Sequence, residues 1–471
     1  MRRILATSCA AALLIACSGD DAVTPEPVSD GGTKDVAPDT VTPPDAAADV
    51  GADAGEWTKE ELAILKTLSP LGAQVPADTT NTFADNANAA KLGQMLFFDK
   101  SYSGALVVGN DGSNGGLGAV NDTGKVGCVS CHAGAGMEDN RSKPGNVSLG
   151  TDFGTRNALA LVDSPYESWT NWGGRFDSQW SLPLAVSENG VIMKSSRLQI
   201  AHLLWTKYKA EYNAIFPVPL DASLDPAASD AARFPAAGKP KAANGTDGPW
   251  ELNMTVGDQN IVNRIFANYG KAIQAYLRLL VRRNAPFDKY VAGDSTALDD
   301  AQKRGLHAFI GKAGCVSCHS GPAMTDGKFH ALAVPQTGAH VPATDFGRYQ
   351  DVPALLSSVF NTNGTYSDDV NTGKLTGLVQ DVAQKGLFRT PTLRGVAKTA
   401  PYMHSGQLAT LADVISYYNA GGSDPGDSGV TKDPLLKPLS LQTTESADLA
   451  KLLEALSGDP VPASLLMDTS K

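Results

Sequence analysis

The chain has 471 residues, 42% of them hydrophobic and 19% charged, with a formal net charge of −11 at pH 7. That is enough chain for two globular domains with cores of their own. No apolar run is long enough to span a bilayer, and no basic patch argues for nucleic acid as a partner.

Residues 1–17 read as an export signal, with Arg2 and Arg3 ahead of the apolar run from Ile4 to Ala16. The run ends in Leu14-Ile15-Ala16-Cys17, which resembles a bacterial lipobox. On that resemblance Cys17 carries a lipid, Ser18 favours sorting to the outer membrane, and the membrane is met only through this N-terminal anchor. A plain cleaved signal is the alternative. In either case the expected location is the periplasm. Residues 18–56 hold ten acidic residues against Lys34, with abundant Pro, Ala, Thr and Gly and no apolar period. Such a segment reads as a disordered acidic tether, and it carries most of the net charge, so the rest of the chain is close to neutral.

Thr58 and Glu61 form a capping-box pattern that opens a short helix through Leu65, packed on the body. From Asn88 to Phe98 the spacing of Leu92, Met95, Leu96 and Phe98 predicts an amphipathic helix. The glycine-rich stretch from Gly104 to Lys125 predicts a surface loop leading into Gly127-Cys128-Val129-Ser130-Cys131-His132. The same hexapeptide returns as Gly314-Cys315-Val316-Ser317-Cys318-His319.

Cys-x-x-Cys-His is the signature of covalent c-type haem attachment, in which two thiols join the haem and the histidine ligates its iron. Two residues between the cysteines put both sulfurs on one side of a helical turn, and the next residue brings imidazole under the ring they hold. A disulfide, a redox Cys-x-x-Cys or half a zinc site would tolerate many residues where His132 and His319 stand. Two identical copies therefore favour two covalently bound haem c groups. Of the six cysteines, Cys9 falls in the signal and Cys17 at the lipid site, so none is left for a structural disulfide.

Between the motifs, Trp169, Trp172 and Trp180 cluster, a helix is predicted from Leu198 to Ile215, and the stretch from Pro217 to Pro249 reads as a linker or surface excursion. A strong apolar stripe runs through Ile261, Ile265, Tyr269, Ile273 and Leu280, closed by Pro286. Asp299 caps a helix toward the second motif, and Thr410 with Asp413 opens another through Val414, Ile415 and Tyr418 to Gly421. No strand alternation stands out. The expected fold is mainly α, with two cytochrome-c-like haem domains at residues 57–250 and 251–458.

From Ala90 to Gly422 the chain resembles the bacterial diheme cytochrome c peroxidases and their MauG relatives. The resemblance is carried by the stretch from Lys91 to Asp99, both haem motifs, Thr155-Arg156-Asn157, Trp172-Gly173-Gly174-Arg175, Asn284 to Tyr290, Pro391-Thr392-Leu393-Arg394 and Thr399 to Gly406. It implies an N-terminal haem that meets hydrogen peroxide and a C-terminal haem that takes electrons from a small redox protein such as a cytochrome c or cupredoxin. Trp172 would lie between the two haems. A calcium ion would be held by the Asn157 side chain and the Thr399 and Pro401 carbonyls.

The position of the second haem's sixth ligand, fourteen residues after His404, falls on Tyr418; peroxidases place methionine there and MauG tyrosine. Met403 is the rival donor. No histidine occurs between His132 and His202, so the first haem is expected to be open. The family's active-site glutamine falls on Leu182 and its catalytic glutamate on Ile192, with Glu188 one turn earlier as the acid at hand. The resemblance implies an exported diheme oxidoreductase, foremost a peroxidase reducing hydrogen peroxide to water. The alternatives are a MauG-like enzyme oxidising a protein side chain and a diheme electron carrier. His202, His307, His330 and His340 have no ligand spacing and read as structural, while Arg156, Arg175, Arg348, Arg389 and Arg394 are candidates to pair with haem propionates.

Overall fold

The computed structural model describes residues 57–471 apart from 73, 111–115, 135 and 138–146. The export signal, lipid site and acidic tether expected at residues 1–56 lie outside the described residues, as does part of the glycine-rich loop before the first motif. Among the described residues no helix is long and apolar enough to cross a membrane.

Helix α1 (Lys59–Thr67) opens with the expected box, Thr58 capping the Glu61 amide and Glu61 returning to Thr58. Helix α2 (Ala87–Phe98) is capped by Asn86, whose side chain accepts from the amides of Asn88 and Ala89. Then come α3 (Cys128–Cys131), α4 (Ser181–Glu188), α5 (Arg197–Ile215), α6 (Pro249–Asn253) and α7 (Val256–Leu277). Helix α7 packs against α2, α4 and α5. It is buried on nearly every side from Ile265 to Leu277, so it forms the axis of the first core. Gly93 lets α2 lie directly on it, because a Cβ there would collide with the Ala272 carbonyl. The 217–249 excursion is anchored to this core by Leu220, Leu224 and Phe234.

The second core begins at Phe287, on α8 (Pro286–Val291), and gathers α9 (Asp300–Ile310), α11 (Leu411–Asn419) and α12 (Thr443–Ala455). Trp57, Leu65 and Leu68 from the N-terminal segment join it as well. Helix α10 (Arg348–Leu356) lies between β1 (Phe329–His330) and β2 (Phe388–Arg389) in sequence, and the strands pair antiparallel with Phe329 opposite Arg389. Gly305 brings α9 onto the backbone of α12 as Gly93 brings α2 onto α7.

The described residues are mainly helical, as expected. The first core takes in residues up to Leu280 together with Phe360 and Val461, and the second takes in Trp57, Leu65 and Leu68 together with residues from Phe287 onward. The α7 stripe packs in the first core, where it meets α2 and α4. Helix α7 ends at Leu277, well before Pro286, which therefore does not close it. Pro286 is the first residue of α8, where its missing N–H costs nothing.

Candidate functional site

Each Cys-x-x-Cys-His segment forms one tight turn that ends at its histidine. In the first, His132 donates its amide to the Cys128 carbonyl at 2.9 Å, and in the second His319 donates to Cys315 at 2.9 Å. The imidazoles are held alike: Nδ1 of His132 lies 3.2 Å from the Met137 carbonyl, and Nδ1 of His319 lies 3.1 Å from that of Met324. Met137 and Met324 share a positive φ of 54° and 51° and are buried. The repeat therefore extends to a methionine five residues past each histidine, a pattern present in the sequence but not read from it. A proton fixed on Nδ1 leaves Nε2 as the lone-pair donor an iron requires. Burial pushes His319 down to about 4, so its ring is neutral.

The second motif opens on a cavity of about 540 Å³ bounded by Cys315, Cys318, His319, Met403, His404 and Tyr418. Its size and its mainly apolar wall suit a buried planar cofactor. Helix α11 turns Tyr418 into this space, where burial raises the phenol well above its ordinary pKa. Tyr417 turns away and donates to the Leu332 carbonyl at 2.7 Å. Trp172 reaches the same wall, its indole donating to the Asn157 carbonyl at 2.7 Å and its own carbonyl accepting from Arg389 at 2.7 Å. Asn157, Thr399 and Pro401 all border the cavity, and the Asn157 amide lies 3.0 Å from the Pro401 carbonyl. His404 stacks on Phe388 at 3.8 Å, edge-on to Trp172 at 6.5 Å, and burial lowers it to about 4. The segment after the first motif also touches this wall: Gly136 borders the cavity and accepts from the amides of Leu161 and Val162.

The first motif is set into the first core. The Cys131 thiol lies 3.4 Å from the Leu149 carbonyl. Cys128 stands beside Tyr102, whose hydroxyl lies 2.8 Å from that of Tyr269, which lies 2.8 Å from Ser187. Ile192 is partly buried against the same core, close to Gly150 and Gly154, and presents no ionisable group.

Glu188, expected as the acid near the first haem, is committed elsewhere. Arg197 grips it with two guanidinium nitrogens at 2.9 and 2.7 Å and with its backbone amide at 3.0 Å. Arg197 is packed in turn among Trp250, Phe266 and Phe360. A carboxylate held by three donors in that setting closes the end of α4 as a buried ion pair.

Most of the candidate propionate partners are likewise engaged. Arg156 bridges Asp345 and Asp351 at 2.6 Å each, Arg389 pairs with Glu167 at 2.6 Å, and Arg394 with Asp288 at 2.7 Å. Arg348 lies between Trp169 and Phe329, where burial lowers it to about 10, and Arg175 is exposed. His202 bonds to the carbonyls of Phe234 and Pro235, His307 stacks on Trp57, and His340 stacks on Phe153. His330 departs from a purely structural role. It borders the cavity between Asp326 and Asp433, beside Cys318, and a hydrogen bond to that sulfur, together with the two carboxylates, pushes it up to about 10.

Residues 87–296 match the family described as di-haem cytochrome c peroxidase. A cytochrome-c peroxidase, IdrP1 of Denitromonas iodatirespirans, is 32% identical over 403 residues, covering 83% of this chain and 86% of its own. The methylamine utilization protein MauG of Methylorubrum extorquens is 26% identical over 433 residues, covering 90% and 92%. Among solved structures, the diheme peroxidase BthA of Burkholderia thailandensis aligns with a TM-score of 0.55 at 19% identity, covering 81% of this chain and 89% of its own, a likeness of fold.

Proposed function

The chain belongs to the diheme cytochrome c peroxidase and MauG family, and from that premise we propose that it is an exported oxidoreductase reducing hydrogen peroxide to water with electrons from a small redox protein. The observation that carries this reading is the pair of complete motifs, each holding its histidine through Nδ1, the second bordering a cavity with its own candidate sixth ligand. The bound haems would supply reversible electron storage and an iron that takes up an oxidant. Cys128, Cys131 and His132 would hold one, and Cys315, Cys318 and His319 the other, each histidine oriented through Nδ1.

Tyr418, which borders the same cavity as the second motif's histidine, would close that iron as a phenolate and favour its ferric state. Trp172 would carry electrons between the sites, since it borders the second cavity while its neighbour Asn157 follows from the first motif's loop. Calcium would sit at Asn157, Thr399 and Pro401. The donors are neutral oxygens of the right hardness, and the Asn157 amide, turned over, would present its oxygen toward the Pro401 carbonyl.

Leu182 and Ile192 favour a second reading. Reducing peroxide to two waters takes two electrons and two protons, and a side chain that moves a proton between the oxygens speeds the cleavage by about 10²–10⁴. Isoleucine cannot do this, and Glu188 is held by Arg197. A MauG-like role, with Tyr418 favouring an oxidised second haem that withdraws electrons from a protein side chain, asks less of that position. A diheme electron carrier asks nothing of it. Steady-state peroxide consumption with a reduced cytochrome c, and then with an artificial donor, separates these. Turnover with the cytochrome supports the peroxidase; turnover with the artificial donor alone supports the MauG-like reading; none with either leaves a carrier. In the peroxidase, Ile192→Glu should raise peroxide turnover.

A further inference from the structure

Cys318 gives the second haem a fixed landmark, because its Sγ is the atom joined to the porphyrin edge. A ring nitrogen of His330 and a carboxylate oxygen of Asp326 lie within 4.8 Å of that sulfur and of each other. His330 faces a second carboxylate on its far side: Nδ1 is 2.6 Å from Asp433 and Nε2 is 2.9 Å from Asp326. A neutral imidazole has one N–H and could satisfy only one of these acceptors, so two carboxylates on two ring nitrogens call for the imidazolium. The cluster then holds two negative charges and one positive.

We propose that Asp326, His330 and Asp433 form a charge site that lowers the reduction potential of the haem carried by His319. The placement of the charge supports it. Arg282, Lys312, Arg389, Arg394 and Lys437 also border the cavity; Lys312, Arg389 and Arg394 pair with Glu445, Glu167 and Asp288, and Lys437 is exposed to solvent. The His330 cluster carries its net negative charge beside the Cys318 sulfur. Its side chains are only 10–18% exposed, so water screens that charge weakly. Ferric haem carries one more positive charge than ferrous haem, and a nearby anion stabilises it preferentially.

The charge is also fixed in place. Asp326 follows the motif and caps the Lys328 amide at 2.9 Å, and the Asp433 amide donates to the Ala331 carbonyl at 3.0 Å. Asp433 leads into Leu435 and Leu436 of the cavity wall.

The proposal rests on covalent haem attachment at Cys318 and is independent of whether peroxide is the oxidant, so its test involves no turnover. Spectroelectrochemical titration of the diheme protein should give a higher midpoint potential for the second haem in Asp433→Asn and in Asp326→Asn, and a further rise in the double variant. The first haem should stay where it was, and the exposed Asp300→Asn should move neither. Asparagine keeps an acceptor oxygen toward His330, so the geometry survives while the charge goes. If Asp433→Asn loosens the wall and loses haem, Asp326→Asn, on the motif side, carries the test alone. An unchanged or lower potential in Asp326→Asn, or an equal shift of both haems, overturns the proposal.

Discussion

The two haem motifs are the same six residues, and the protein surrounds them differently. The first lies against α2 and α7, with Cys128 among Tyr102, Tyr269 and Tyr276, groups raised by burial and facing it without charge. The second opens on a cavity edged by Arg389, Arg394, Lys312, His330 and Asp433, which its histidine and Tyr418 also border. The local geometry is alike at both sites, each histidine held through Nδ1 by the carbonyl of a methionine five residues on. The residues that distinguish the two surroundings come from other parts of the chain, among them Tyr269 beside the first motif and Tyr418 and Asp433 beside the second.

The largest effect should come from removing one side of this comparison. Cys315→Ala with Cys318→Ala should leave one covalent haem per chain by mass and pyridine haemochrome, and should abolish peroxide turnover with a protein donor while the His132 haem remains. Two haems in that variant would break the scheme. Tyr418→Phe should next convert the second haem from low-spin to high-spin or to a new ligand set, read in the visible spectrum. Tyr417→Phe should leave that spectrum alone and cost about 1–2 kcal/mol of stability, the value of the hydrogen bonds its hydroxyl donates to the Leu332 carbonyl and accepts from the Ser423 amide. Should Tyr418→Phe keep the native spectrum, Met403, on the same cavity, becomes the donor to replace.

Glu188→Gln sharpens the first side. Breaking a largely buried ion pair with Arg197 should cost about 2–4 kcal/mol in urea unfolding, while turnover per haem stays unchanged. A loss of turnover without a loss of stability would return Glu188 to the chemistry. The smallest effect concerns Asp163, buried between the two cores, with Oδ2 unpartnered and its pKa raised to about 6 by burial. A folded-state pKa above the unfolded value means that the native state holds the proton more tightly. Stability should therefore fall as pH rises from about 4 to about 6, and Asp163→Asn should remove that slope.

Much of this was legible in the sequence because it is local. The capping boxes at Thr58 and Thr410 and the stripe of α7 appear where their residues dictate. The haem turns follow from spacing alone. Helix α12 went unread although Leu449, Leu452 and Leu453 have helical spacing, since its partner α9 lies far upstream. Helix α10 carries Pro353, which reads as a breaker. The core to which α7 belongs, the capture of Glu188 by Arg197, and the approach of Asp433 to His330 are all tertiary. No periodicity announces them. The Met137 and Met324 carbonyls were within reach of the sequence, since a comparison extended five residues past each histidine finds both methionines.

The central claim is that identical attachment motifs carry irons with different coordination, the first open and the second closed by Tyr418. Electron paramagnetic resonance of the resting ferric protein tests it most directly. The account predicts one high-spin centre, assigned to His132 by its persistence in Cys315→Ala with Cys318→Ala, and one low-spin centre that Tyr418→Phe abolishes. Two low-spin centres at rest would contradict it.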